Sequence, residues 1–150
     1  MNAAQESGAA VVEEIVVDAS PERVFDALVD PAQLGSWWGS SDMYTTEWSV
    51  DLRVGGEFLC TASMGPERMT VRGRYLHIDR PRRLDYTWNA SWDPSGETLV
   101  RYDLIPEADR TRVRVTQTGF TPDADRSGYG EGWQNVLGWL AAHFPQGSEG

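Results

Sequence analysis

The stretch GYGEGWQNVLGWLAAHF (128–144) decides the fold, because it predicts one amphipathic helix near the end of the chain. Its large apolar side chains follow helical spacing and form one stripe, consisting of Trp133, Val136, Leu137, Leu140 and Phe144. The opposite side carries Gln134, Gly138 and Ala142 and no basic residue, so the helix lacks the cationic face of helices that bind membrane surfaces. We predict that this helix covers the apolar face of a sheet.

Six segments before this helix alternate apolar and polar residues with the period of a β-strand, and short turns rich in Gly, Pro or Asp separate them. They are EWSVDLRV (47–54), EFLCTAS (57–63), ERMTVRGRYLHID (67–79), RLDYTWNASW (83–92), ETLVRYDLI (97–105) and TRVRVTQTGF (111–120). Because strands joined by short turns pair antiparallel, we predict a meander. The segment VVEEIVV (11–17) predicts a seventh strand, added at an edge of the sheet.

Two short helices are predicted after the first strand. Ser20 is a good N-cap and Pro21 suits the first helical position, so PERVFDALVD (21–30) begins a helix, and PAQLGSWW (31–38) predicts a second one. The chain of 150 residues is 40% hydrophobic, enough for one core and too little for two. We therefore expect an α+β domain over residues 11–145, with flexible tails at 1–10 and 146–150.

Alternation assigns one face of the predicted sheet to the interior. The inward residues are Leu84, Tyr86, Trp88, Ala90, Trp92, Val100, Tyr102, Leu104, Val113 and Val115. Their neighbours are expected to face water, namely Asp85, Thr87, Asn89, Arg101, Asp103, Arg112 and Arg114. A sheet with one apolar face needs a cover, and the C-terminal helix is the element that supplies it.

The net charge of −10 and the pI near 4.5 disfavour binding to phosphate backbones and anionic lipids. The candidate basic patch alternates with apolar residues among acids, as expected of a solvated sheet face, and consists of Arg72, Arg74, Arg82, Arg83, Arg112 and Arg114. All 13 basic residues are Arg, which excludes Schiff-base lysine chemistry. With one cysteine and no signal-peptide pattern or membrane-length apolar run, we expect a cytoplasmic protein that binds neither nucleic acid nor membrane.

Five stretches carry a family resemblance. They are ASPERVFDALVDPAQLGSWWG (19–39), DLRVGGEF (51–58), DRPRRLDYTW (79–88), TRVRVTQTGF (111–120) and GYGEGWQNVLGWLAAHF (128–144). They resemble the bacterial branch of the activator-of-Hsp90-ATPase-like family, within the START/Bet v 1-like superfamily. The resemblance implies a helix-grip fold, in which a seven-stranded antiparallel sheet wraps around a long C-terminal helix. It also implies a cavity between them, which in relatives holds hydrophobic or amphipathic small molecules.

Groups for acid–base or nucleophilic catalysis are few. Cys60 and His77 fall on inward faces of neighbouring predicted strands, but the turn near residue 65 places Cys60 opposite residues close to 71. His77 then lies about 20 Å further along, too far for a dyad. Many relatives read Thr-His-x-Gly-Phe where this chain has Gln117, a neutral amide. No cluster has metal-ligand spacing and no dinucleotide motif matches, so we expect no catalytic residue, metal or cofactor.

Polar-tipped aromatic residues give a stronger signal. The predicted ligand-binding residues are Trp48, Phe58, Met69, Val71, Tyr86, Trp88, Tyr102, Gln117, Trp133, Leu137 and Leu140. Each of them alone also fits a filled core. Together, so many indole N–H and phenol O–H groups facing one space predict a partly polar cavity, with Gln117 placed to orient a ligand.

Three functions remain open. The preferred hypothesis is a protein that binds an apolar or aromatic small molecule without catalysing a reaction. The second is an enzyme of polyketide cyclase or aromatase type, in which Tyr86, Tyr102 or Gln117 supplies hydrogen bonds. The third is a chaperone-associated interaction module, as the family resemblance implies. A homodimer is left open, and the Trp37–Trp38 pair, taken as exposed, is a pocket gate, an oligomer contact or simple packing.

Overall fold

The computed structural model of this chain describes residues 10–39, 43–91, 96–120 and 126–144. Trp92 and nearly all of the two predicted tails lie outside the described residues. The elements are β1 Val11–Val17, α1 Pro21–Val29, α2 Pro31–Trp37, β2 Thr45–Val50, β3 Glu57–Met64, β4 Glu67–Asp79, β5 Arg83–Ala90, β6 Glu97–Glu107, β7 Arg110–Thr118 and α3 Arg126–His143.

The seven strands form one antiparallel sheet in the order β1-β7-β6-β5-β4-β3-β2. The predicted meander is therefore confirmed, with β1 added beside the last strand. Helix α3 lies near β1 and α2 lies near β2, at the two edges of the sheet. The predicted helix-grip architecture, with two short helices after the first strand, is the architecture observed.

Capping explains why the chain turns sharply between α1 and α2. The Ser20 side chain accepts a hydrogen bond from the backbone N–H of Arg23, and Pro21 occupies the first helical turn. Asp30 ends α1 and caps α2, because its carboxylate accepts from the backbone N–H of Ala32 at 3.1 Å. The apolar stripe predicted for the C-terminal helix is buried at all five positions, whereas Gln134, Gly138 and Ala142 are exposed.

The inward face of the sheet is buried as alternation predicts, but Thr87 is a correction. It was expected to face water and is only 5% exposed. Its hydroxyl accepts a hydrogen bond from the backbone N–H of Arg74 at 2.9 Å. Where the β4–β5 pairing is irregular, the hydroxyl thus replaces the backbone carbonyl that would accept this bond in a regular sheet. A short hydroxyl side chain is satisfied in this position by a neighbouring strand, which alternation alone does not reveal.

His77 is the second correction, because it is exposed instead of facing the interior. The register of β4 against β5 shifts between Tyr75, which pairs with Tyr86, and His77, which pairs with Asp85. One extra residue on β4 reverses the alternation after Tyr75. Cys60 pairs with Val71, so the predicted register that keeps Cys60 and His77 apart is confirmed.

Within the part of the chain that the structure describes, no helix combines the length and the apolar character needed to span a bilayer.

Candidate ligand-binding site

The predicted site residues meet in an aromatic cluster on the inward side of the sheet. We define the aromatic cluster as Trp38, Trp48, Phe58, Tyr75, Tyr86, Trp88, Tyr102 and Trp133. Adjacent rings of this set have centroids between 4.8 and 6.3 Å apart. Most pairs are tilted or edge-to-face, the arrangement in which the positive ring edge meets a negative ring face. The sheet, α3 and Trp38, which caps the end of α2, each contribute, so the cluster joins all three elements.

Trp37 and Trp38, taken as exposed in the sequence, are both buried. The Trp37 indole N–H donates to the backbone carbonyl of Ala27 at 2.8 Å, which fastens the end of α2 to α1. Trp38 packs at the centre of the aromatic cluster, 5.1 Å from Trp48 and 5.8 Å from Trp133 between ring centroids. Packing is therefore the role that the geometry shows for this pair. The expected exposure was wrong, because two adjacent tryptophans at the end of a short helix form no periodic pattern from which burial could be predicted.

A chain of rings runs across the sheet from its β2 edge. Trp48 on β2 contacts Phe58 on β3, which lies 4.8 Å from Tyr86 on β5 between centroids. Tyr86 contacts Tyr102 on β6, and Tyr102 meets Trp133 on α3 edge-on at 6.0 Å. Strand alternation predicts the first four on one face and helical spacing predicts Trp133 on the face that covers them; the structure places the five in contact.

The remaining predicted residues surround this chain unevenly. Leu137 and Leu140 on α3 and Val71 on β4 are buried, whereas Met69 and Trp48 are half-buried. Met69 pairs with Ala62 towards the end of the β3–β4 hairpin, so it lies at the rim and not in the centre.

Gln117 is fully buried and hydrogen-bonded at both ends of its amide. Its Oε1 accepts from the indole N–H of Trp133 at 2.8 Å, and its Nε2 donates to the hydroxyl of Thr98 at 2.8 Å. Thr98 in turn donates to the backbone carbonyl of Trp88 at 3.3 Å. Gln117 therefore fastens α3 to the sheet, and it fixes the orientation of the Trp133 ring.

Three buried phenols lie next to one another on adjacent strands. Tyr75 on β4, Tyr86 on β5 and Tyr102 on β6 have ring centroids 6.1 and 6.0 Å apart. Burial raises the pKa of all three above the ordinary value for tyrosine, and the hydroxyls therefore stay protonated at neutral pH. They can donate hydrogen bonds but cannot act as bases.

Cys60 lies on the same face, on β3, and is buried. Burial raises the pKa of its thiol to about 12, so the thiolate that a nucleophile requires is scarce. Cys60 therefore packs as a small apolar residue of the core.

Charged groups stay out of this region. All buried polar residues among those described are uncharged, and they are Thr46, Thr87, Thr98, Thr111 and Gln117. Four arginines of the outer face pair with acids instead: Asp85 contacts Arg83 and Arg101, and Glu14 contacts Arg112 and Arg114. Among the described residues, no three His, Cys, Asp or Glu side chains gather closely enough to hold a metal ion.

A separate open groove of about 470 Å³ lies beside the β1 edge. It is lined by Ala10, Val11, Val12, Glu13, Gly130, Glu131 and Gln134. None of these residues belongs to the aromatic cluster or to the predicted site.

Sequence reasoning did not select Tyr75 and Trp38 as site residues. Tyr75 shares the alternation of Val71 and Gly73, so the pattern contained a signal for it. Gly73 makes room for the neighbouring ring, because a Cβ there would lie 2.3 Å from the Phe58 side chain. No comparable sequence signal pointed to Trp38.

A seven-stranded antiparallel sheet closed by a C-terminal helix over an aromatic interior defines a helix-grip protein. A family model described as activator of Hsp90 ATPase homolog 1-like protein matches residues 18–144, and the chain belongs to this family.

Solved structures share this fold over nearly the whole chain. Protein CV1439 from Chromobacterium violaceum is 25% identical, with a TM-score of 0.82, over 91% of this chain and 97% of that one. Mll3558 from Rhizobium loti is 28% identical, with a TM-score of 0.76, over 90% and 96% of the two chains. DynU16, a protein in the dynemicin biosynthetic locus, is similar in fold alone, at 20% identity and a TM-score of 0.73 over 93% of this chain and 48% of that one. No curated protein sequence matches the chain significantly.

Proposed function

We propose that this protein binds an apolar or aromatic small molecule between the sheet and α3, and that the aromatic cluster forms the binding surface. The observation that carries the proposal is the composition of this interior. Four tryptophans, three tyrosines and one phenylalanine meet there, and all buried polar residues among those described are uncharged. Aromatic rings offer flat faces for stacking and polar edges for orientation, which suits a flat apolar ligand.

An aliphatic core would stabilise the same fold with fewer polar atoms to satisfy. Each buried indole or phenol brings an N–H or O–H group that requires a partner, and leaving one without a partner costs about 1–3 kcal/mol. The indole N–H groups of Trp48, Trp88 and Trp133 have such partners, whereas the buried tyrosine hydroxyls make only one long contact. Contact with a ligand is the use that we propose for these hydroxyls.

The rings already contact one another, so a ligand must separate them on entry. The half-buried Trp48 and Met69 mark the side at which the cluster approaches solvent, next to the β2 edge strand. Binding is expected to change the environment of several tryptophans at once. Gln117 acts on this site through Trp133, whose indole it holds.

Titration with N-phenyl-1-naphthylamine, a neutral apolar fluorophore, tests the proposal. We expect saturable binding at one molecule per chain, with enhanced probe emission and energy transfer from tryptophan. Trp88→Phe removes an indole from the cluster and should weaken binding, whereas Trp139→Phe, whose ring packs on Tyr44, is the matched control and should not. A linear, unsaturated response that is the same for both variants would overturn the proposal.

The cyclase-type alternative makes a different prediction. A compound that co-purifies from the host, identified by native mass spectrometry and denaturing extraction, would be converted to a product by an enzyme and returned unchanged by a binding protein.

A further inference from the structure

The three buried phenols differ from every other buried polar side chain in the described part of the molecule. We call Tyr75, Tyr86 and Tyr102 the phenol triad. They are 2%, 5% and 1% exposed. Tyr75 and Tyr86 are directly paired across β4 and β5, and Tyr102 follows diagonally on β6.

Hydrogen-bond partners are almost lacking in the phenol triad. The Tyr86 hydroxyl contacts the Tyr102 hydroxyl at 3.4 Å, at the long limit of a hydrogen bond. Among the described residues, the Tyr75 hydroxyl has no backbone or side-chain hydrogen-bond partner. In the same part of the chain, the hydroxyls of Tyr86 and Tyr102 have no partner other than each other. Two of the three hydroxyls therefore share one weak contact, and that of Tyr75 takes no part in it.

The other buried polar residues make a clear contrast. The Thr46 hydroxyl donates to the Trp38 carbonyl at 2.8 Å, and the Thr111 hydroxyl donates to the Ala19 carbonyl at 2.8 Å. The remaining three also make hydrogen bonds: Thr87 accepts one, Thr98 donates one and accepts one, and Gln117 uses both ends of its amide. The fold thus provides partners wherever a buried polar group is structural, and the phenol triad stands outside that pattern.

Phenol hydroxyls that remain protonated offer donors to an acceptor. An anionic acceptor is disfavoured, because a desolvated charge needs a counter-charge and all buried polar residues among those described are uncharged. A ketone or quinone oxygen is neutral, has two lone pairs and projects from a flat apolar skeleton, so it can accept from two neighbouring phenols at once.

We infer that the phenol triad binds the neutral carbonyl oxygen of an otherwise apolar, aromatic ligand. This inference rests on the proposed function, since it names the polar group by which the aromatic cluster selects its ligand. Tyr75 becomes a binding residue, although the sequence did not single it out.

The test compares two probes that differ only at the carbonyl position: 9-fluorenone and fluorene. With the wild-type chain we expect 9-fluorenone to bind about tenfold more tightly, the effect of one or two well-formed hydrogen bonds. Tyr75→Phe combined with Tyr102→Phe should reduce that preference, since only the Tyr86 hydroxyl remains to donate, and should leave the affinity for fluorene unchanged because both rings remain. Tyr44→Phe is the control: it removes a half-buried hydroxyl outside the phenol triad, next to Trp38, and should leave the preference for 9-fluorenone unchanged.

A direct readout accompanies the affinities. Hydrogen bonding to phenols should shift the infrared stretching band of bound 9-fluorenone to lower wavenumber, and the double variant should move it back. Thermal unfolding of each variant, followed by circular dichroism, verifies that the fold is retained.

The outcomes separate the two proposals. Saturable binding of both probes with equal affinity, unaffected by the tyrosine substitutions, would overturn the inference and leave the proposed function standing. Failure of both probes to bind would overturn the proposed function, and the inference with it.

Discussion

Replacing Gln117 by methionine should destabilise the protein strongly, although the two side chains have similar volumes. The substitution leaves the Trp133 indole N–H without its acceptor and removes the donor to Thr98 in a fully buried location. An unsatisfied buried donor costs about 1–3 kcal/mol, and loss of one neutral hydrogen bond about 0.5–1.5 kcal/mol. Thr98 keeps its bond to the Trp88 carbonyl, so we expect a total loss of about 3 kcal/mol in the free energy of unfolding.

Urea unfolding followed by tryptophan fluorescence measures this loss. In a chain of this size about 3 kcal/mol corresponds to a decrease in Tm of about 6–12 °C. Gln134→Met is the matched control, because Gln134 is exposed and its contact with Glu13 is long, at 3.4 Å. The control should change the free energy of unfolding by less than about 0.5 kcal/mol.

A double-mutant cycle identifies the responsible contact. Trp133→Phe removes the indole N–H, so it should cost less in the Gln117→Met background than in the wild type. Equal effects of Gln117→Met and Gln134→Met, or strict additivity in the cycle, would refute the view that Gln117 fastens α3 to the sheet.

The remaining predictions concern glycine packing, the thiol and one ion-pair network. Gly73→Ala should destabilise the protein by about 1–3 kcal/mol, because the new Cβ would lie 2.2 Å from the Thr87 carbonyl oxygen. The control Gly138→Ala lies on an exposed helical surface and should stabilise the protein by about 0.5–1 kcal/mol. Urea unfolding that ranks the two variants the other way would contradict this. Burial raises the pKa of the Cys60 thiol to about 12 in the folded chain, so at pH 8 it should react with a disulfide reagent at least about a thousandfold more slowly than in the urea-unfolded chain. Similar rates would show that the interior opens freely. Burial raises the pKa of Asp85, but Arg83 and Arg101 outweigh it and lower the pKa overall. Ionised Asp85 therefore contributes stability that is present above the unfolded pKa of about 4 and is lost as the pH falls through the folded pKa. Asp85→Asn should lower the free energy of unfolding by up to about 1 kcal/mol at pH 7 and by much less near pH 3. A cost independent of pH would argue against the ion pairs.

The sheet could be predicted almost completely from the sequence. Strand β4 begins and ends at the predicted residues, 67 and 79, and β1 does so at 11 and 17. Period-two alternation is a strong signal when one face is buried, and Gly, Pro and Asp mark the turns. The C-terminal helix was equally clear, because a stripe of five large apolar residues has no other use in a chain of this composition.

The site was predicted only in part, because alternation fails where the backbone is irregular. The register shift after Tyr75 turned His77 outwards, and the hydroxyl of Thr87 made a buried backbone contact that a polarity pattern assigns to water. Trp37 and Trp38 lie in a segment without periodicity, so their burial required the tertiary structure. Which residues contact a ligand stays a prediction for all eleven selected positions.

Hydrogen-bond partners distinguish the two kinds of polar group in this interior. Gln117 carries two good hydrogen bonds, so its presence is explained by the fold itself. Phenylalanine in place of Tyr75 would fill the same volume without a buried hydroxyl lacking a partner, so packing alone does not explain that tyrosine. Proteins accept such costs where a site must be ready for a ligand, and stability is then traded for binding. The fold thus accounts for Gln117, whereas the phenol triad, with one long contact among its hydroxyls, is the ground on which we infer a ligand.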